Sequence, residues 1–244
     1  MKRIGIPFIG LIACISAIGA AHEDGSDRFS TVPSVRSESA GGNVSLRATI
    51  RGDDEKSKAM ARAKVRDQEA GTYIPEILLA RDSALARWHE RGEPVTVWVQ
   101  ARPDLRDWNA HYVKSVSDGF MSWDAVALPV RFRMVRDSVD AEVHVTWVDR
   151  FEEPISGRTR WSRDDNWWIL NASIVLAVHH QQGDRLDKSA MKAMALHEVG
   201  HLLGLDHTSN VGSIMAPRVR VRDLAAIDIA TVRLLYSIPA GVLR

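Results

Sequence analysis

Ala195-Leu196-His197-Glu198-Val199-Gly200-His201-Leu202-Leu203-Gly204-Leu205-Asp206-His207 is the stretch on which the reading of this chain turns. His197 and His201 are four residues apart, so on a helix they differ by about 40° in azimuth and one turn in height, and both imidazoles can converge on one metal ion. Glu198 follows about 100° further round. A carboxylate there stands beside the ion without ligating it and can take a proton from a bound water. Gly204 can adopt the left-handed conformation that ends a helix, which returns His207 to the same ion. Three neutral imidazoles and one water make the open tetrahedral site of catalytic zinc. A helix with merely solvated histidines would not need Met191, Met194, Val199, Leu202 and Leu203 as a buried face, nor a glycine where the third ligand requires the turn.

Upstream, the pattern predicts strands with one crossing helix. Val95, Val97 and Val99 alternate with Thr96, Trp98 and Gln100, and the runs 130–135 and 141–147 alternate in the same way. Residues 158–168 read as an exposed loop or edge strand, and 172–178 as a further strand. Ile77, Leu78, Leu79, Leu85 and Trp88 fit a short amphipathic helix. From Asp104, the spacing of Trp108, Tyr112, Val116, Phe120 and Trp123 predicts a helix of about five turns with an aromatic buried stripe. Asp187 or Ser189 is the expected N-cap of the helix that carries the histidines. Strands and one helix first, two helices last, give an α+β class with helices packed on one sheet. The composition, 45% hydrophobic and 26% charged over 244 residues, is that of a globular protein, and a formal charge of +1 supplies no field for nucleic acid.

Ser213-Ile214-Met215-Ala216-Pro217 follows closely on His207. The two segments together resemble the metzincin metallopeptidases: the first resembles their elongated motif His-Glu-x-x-His-x-x-Gly-x-x-His, the second their Met-turn, whose methionine forms an apolar floor under the histidines. Ala195-Leu196 before the motif, the short gap to Met215, Pro217, and a closing helix ending in Leu234-Leu235-Tyr236 are most similar to a bacterial matrixin-type catalytic domain, over residues 88–236. The resemblance implies a zincin fold with a mixed five-stranded twisted sheet, a long crossing helix, an active-site helix and a C-terminal helix. It implies a secreted zinc endopeptidase with His197, His201 and His207 as metal ligands, Glu198 as catalytic base, and Met215 beneath the metal rather than on it. A protein or peptide substrate would lie extended along an edge strand within 157–168. The alternative is a catalytically silent zinc-containing binding or inhibitory module of the same fold.

The remaining expectations concern the ends and the departures. Lys2, Arg3, the apolar run 4–18 and small residues to Ala21 read as an export signal over residues 1–21, too short for a permanent membrane span. Export to a secreted or periplasmic location follows, with a lipid anchor at Cys14 as the lipoprotein alternative. Residues 22–72 read as a flexible linker or pro-segment, and 73–244 as a catalytic domain expected to be monomeric. Cys14 is the only cysteine, so the cysteine latch of animal matrixins has no donor once the signal is removed. The His-x-Asp pattern of the matrixin structural zinc is missing, and His144, His179 and His180 read as ordinary strand-end or core residues. Asp164, Asp165 and Asn166 offer calcium-type oxygens but read as a solvated loop, leaving one zinc as the expected cofactor. Arg218, Arg220 and Arg222 alternate after the Met-turn and set the expectation of an acidic side chain in the substrate.

Overall fold

A computed structural model describes residues 42–244, with side chains from 54 onward, and the short strand Ile12–Ala13. The remainder of the export signal expected over residues 1–21, including Cys14, and residues 22–41 lie outside the described residues. Among the described residues no helix is long and apolar enough to cross a membrane.

The β-branched alternation at Val95–Val99 forms β1, and the later alternating runs form β2 (Phe132–Val135), β3 (Val143–Val148), β4 (Gly157–Arg163) and β5 (Trp168–Ala177). β1 runs parallel to β2 and β3, β3 runs parallel to β5, and β4 returns antiparallel on β5. The order β4-β5-β3-β1-β2 is the mixed five-stranded sheet implied by the resemblance, and Arg87–Trp88 adds a two-residue sixth strand alongside Trp168–Ile169. Parallel neighbours need crossover connections. α3 (His111–Asp124) supplies one between β1 and β2, and buries Tyr112, Val116, Phe120 and Trp123 on one stripe.

α4 (Lys188–Leu202) packs against α3 so closely that a Cβ on Gly119 would lie 3.1 Å from Ala195 Cβ. Trp123 Nε1 donates to Leu196 O at 2.9 Å, tying the crossing helix to the turn of α4 just before the first histidine. α5 (Ala226–Tyr236) closes the domain, burying Val232, Leu234 and Leu235.

Three expectations about local structure need correction. Within 22–72, read from the sequence as a flexible linker or pro-segment, the described part is not flexible chain: α1 (Gly42–Asp67) is helical, with Ala61 and Val65 buried against the domain and Arg62 Nη1 donating to Leu243 O at 2.7 Å. Two small apolar residues one turn apart suffice to dock a helix whose other faces are solvated, and a count of large apolar residues misses them. The helix expected over Ile77–Trp88 is instead α2 (Ile74–Ala80), followed by Ala84–Leu85 paired with Gly241–Val242. Asp82 and Ser83 adopt left-handed φ of 53° and 66°, which turns the chain out of the helix. Finally, α3 begins at His111 rather than near Asp104. Trp108 reaches the core from the preceding loop, its ring 6.1 Å from that of Trp147.

Candidate functional site

α4 starts at the predicted cap: Asp187 Oδ1 accepts from Ala190 N at 2.7 Å. From Ala193 to Leu202 every residue is buried, so this helix runs through the interior and its side chains have little freedom. His197 and Glu198 are 0% exposed and His201 is 2% exposed. α4 ends where Gly204 takes φ 97°, and a Cβ there would also lie 2.0 Å from Ala86 O. Both constraints demand glycine. The turn brings His207 back, so the structure gathers the three predicted histidines, their ligand atoms within 4.8 Å of one another.

The hydrogen bonds fix which nitrogens face inward. His197 Nδ1 lies 2.7 Å from Ile214 O and His201 Nδ1 lies 3.1 Å from Leu205 O. A carbonyl only accepts, so each Nδ1 carries the proton and each Nε2 presents a lone pair. His197 Nε2 then stands 3.0 Å from His201 Nε2 and 3.3 Å from His207 Nε2. Lone pairs converging in a dry setting repel unless a cation lies among them. A zinc–nitrogen bond of about 2.0–2.1 Å in tetrahedral geometry requires nitrogens about 3.3 Å apart, which the His197–His207 pair matches and the His197–His201 pair approaches. Burial also keeps the rings in ligand form: it lowers the His197 pKa to about 3, with His207 adding to the effect, and lowers His201 and His207 as well.

Met215 is 0% exposed and lies under α4, where a Cβ on Gly200 would come within 2.3 Å of its sulfur. Gly200 is therefore the residue that admits the Met-turn. That turn is pinned by Asp228 of α5, whose Oδ2 accepts from Ile214 N at 3.0 Å and from Ala225 N at 2.8 Å, while Oδ1 accepts from Ser213 Oγ and, at 3.3 Å, from Tyr73 Oη. Asp228 thus holds Ile214, the residue whose carbonyl orients His197.

Glu198 points to β4. Its Oε2 accepts from Thr159 Oγ1 at 2.6 Å, and a Cβ on Gly157 would lie 2.3 Å from its Oε1. Sequence reasoning missed Gly157, Thr159 and Asp228, because each acts across the fold and none carries a local signal beyond an alternating strand or a capping carboxylate. β4 is an antiparallel edge strand, and Arg160 stands exposed on it.

The other polar candidates lie apart from this cluster. His144 Nε2 is 2.9 Å from Ser138 O, His179 Nδ1 is 2.8 Å from Asp149 Oδ1, and His180 Nδ1 is 2.9 Å from Ser156 Oγ. Asp164 Oδ1 accepts from Asn166 N and Trp168 N, both at 2.9 Å, so it caps the β4–β5 turn. Arg218 and Arg220 are exposed and Arg222 is half-buried.

Comparison with known proteins adds a family match: the matrixin family model matches residues 87–237. Metalloendoproteinase 1 of Glycine max is 34% identical over 89 residues, covering 35% of this chain and 27% of that protein. Metalloendoproteinase 1-MMP of Arabidopsis thaliana is 29% identical over 143 residues, covering 48% of this chain and 36% of that protein. Matrix metalloproteinase-15 of Homo sapiens is 30% identical over 92 residues, covering 36% of this chain and 12% of that protein. The matched part thus spans about a third or less of these relatives' own lengths.

Proposed function

The chain belongs to the matrixin family, and on that premise we propose that it is a zinc-dependent endopeptidase acting on protein substrates. The observation that carries this reading is the convergence of three imidazole Nε2 atoms beside a buried glutamate that rests on an edge strand. His197, His201 and His207 would hold the metal. When bound, zinc supplies a Lewis acid that polarises the scissile carbonyl and acidifies water.

The protein's own residues do the rest. The free edge of β4 offers backbone groups to an extended peptide, which would lay the scissile bond near Glu198. Glu198 takes a proton from the attacking water and passes it to the leaving amine. Thr159 donates to Oε2 and fixes the carboxylate plane, so that the base is held in place as the proton moves. Gly157 keeps that strand within reach of the carboxylate, since a side chain there would displace it. Met215 provides a buried apolar floor and takes no part as a ligand. Residues 1–21 support export of this enzyme, with lipidation at Cys14 as the alternative form of the same destination.

The test is digestion of an unfolded protein by purified zinc-loaded chain, beside a chelated sample and a Glu198→Gln variant. Cleavage lost in both controls establishes the reading. Zinc bound at one per chain with no cleavage would overturn it in favour of the silent binding module.

A further inference from the structure

Two arginines, Arg81 and Arg87, are buried among the described residues, and Arg81 spends its whole guanidinium on one turn of chain. It sits just after α2. Nη1 donates to Gly204 O at 2.8 Å, Nη2 to Leu205 O at 3.0 Å, and Nε to Asp206 Oδ2 at 3.2 Å, with the guanidinium carbon 5.4 Å from the Trp161 ring centre. Those acceptors belong to the turn between His201 and His207. Leu205 O is also the acceptor of His201 Nδ1, and Asp206 Oδ1 accepts from His207 N at 2.8 Å.

The other side of the same turn is held from α2 itself. Glu76 Oε1 accepts from Thr208 Oγ1 at 3.0 Å, and Oε2 accepts from Ser209 N at 2.8 Å. One short segment therefore grips the chain on both sides of His207. Glu76 and Arg81 both precede residue 87, where the family match begins.

We propose that Glu76 and Arg81 form a positioning bracket for His207, presetting the third ligand on the turn that follows the end of α4. The proposal rests on the zinc-site reading above. Its physical basis is the difference between ligands on a helix and a ligand on a loop. His197 and His201 are immobilised by a buried helix, whereas His207 lies beyond a left-handed glycine and would lose conformational freedom on metal binding. Three directed donors from Arg81 and a carboxylate from Glu76 place that ordering in the folded protein before the metal arrives. A lysine cannot replace Arg81, because a single ammonium on a flexible stem does not reproduce the planar fork.

The test compares the full wild-type chain with Glu76→Ala, Glu76→Gln and Arg81→Lys. Zinc affinity is read by competition with a chromophoric chelator, and amide hydrogen exchange is read in the metal-free protein. Glu76→Ala and Arg81→Lys are expected to weaken zinc about tenfold or more, in the range for partners that orient metal ligands. They are also expected to speed exchange at Leu205 and Thr208 while β3 and α3 keep their protection. Glu76→Gln, which retains one acceptor, should fall between wild type and Glu76→Ala. Unchanged exchange in the turn overturns the bracket, as does exchange that rises equally in β3 and α3, which would mark a general stability role. If Arg81→Lys fails to fold, the Glu76 pair decides the matter. Exchange needs no zinc, so a wild-type chain that binds no metal refutes the zinc-site reading while the turn's exchange still decides the bracket.

Discussion

Helices α4 and α1 are the two longest in the described chain, and they hold their places in opposite ways. α4 is buried on all sides from Ala193 to Leu202, wedged between α3, the sheet and the Met-turn. α1 touches the domain through Ala61 and Val65, with hydrogen bonds from Arg62 and Lys64 to carbonyls near the C-terminus. A helix enclosed on every side can hold two imidazoles and a carboxylate to a fraction of an ångström, because no displacement is free of steric cost. A helix docked along one stripe braces the fold and tolerates change elsewhere. Activity should therefore be brittle around α4 and forgiving along α1.

The largest expected effect tests the chemistry at the centre of α4. Glu198→Gln should lower kcat about a thousandfold while one zinc per chain remains, as read by peptide hydrolysis and metal analysis. Next comes the end of that helix: Gly204→Ala must adopt φ near 97° and place a Cβ against Ala86 O, and should cost about 3 kcal/mol in urea unfolding. A value under about 1 kcal/mol would show that the turn relaxes freely. Thr159→Ala, which removes one donor to the carboxylate, should reduce kcat about tenfold at nearly constant KM, and Thr159→Ser should restore it. A matching rise in KM would instead make Thr159 a substrate contact. On α1, Val65→Ala should cost about 1 kcal/mol of stability with kcat unchanged. The smallest effect belongs to Lys56→Ala on its exposed face, expected within about 0.5 kcal/mol, and a larger loss there would mean that α1 is held by more than one stripe.

How legible each part was in the sequence follows from the range of its determinants. The histidines and Glu198 could be placed because an i, i+4 spacing on a helix is a local geometric fact, and Gly204 marked the helix end for the same reason. The alternating valines of β1 and β3 read correctly as strands because both bury one face against helices. The segment 74–88 did not, since its apolar residues follow helical spacing across a chain that Asp82 and Ser83 turn into short strands. Trp108 likewise continues the stripe of α3 from outside the helix.

Gly200 shows the boundary between the two kinds of information. Within the motif it occupies an open position, and any small or apolar residue would suit a helix there. Only packing reveals that the sulfur of Met215 fills the space beside it. The same holds for Thr159 on Glu198, Asp228 behind the Met-turn and Arg81 on the turn before His207. By itself the sequence determined which histidines could converge, the helix that carries two of them and the order of strands along the chain from Val95 onward, because those depend on residue type and near-neighbour spacing. The tertiary structure alone decided which hydroxyl, carboxylate and guanidinium hold that donor set in place, because contacts between separate elements, 14 positions apart for Ile214 and Asp228, 39 for Thr159 and Glu198 and 123 for Arg81 and Gly204, leave no periodicity in the chain.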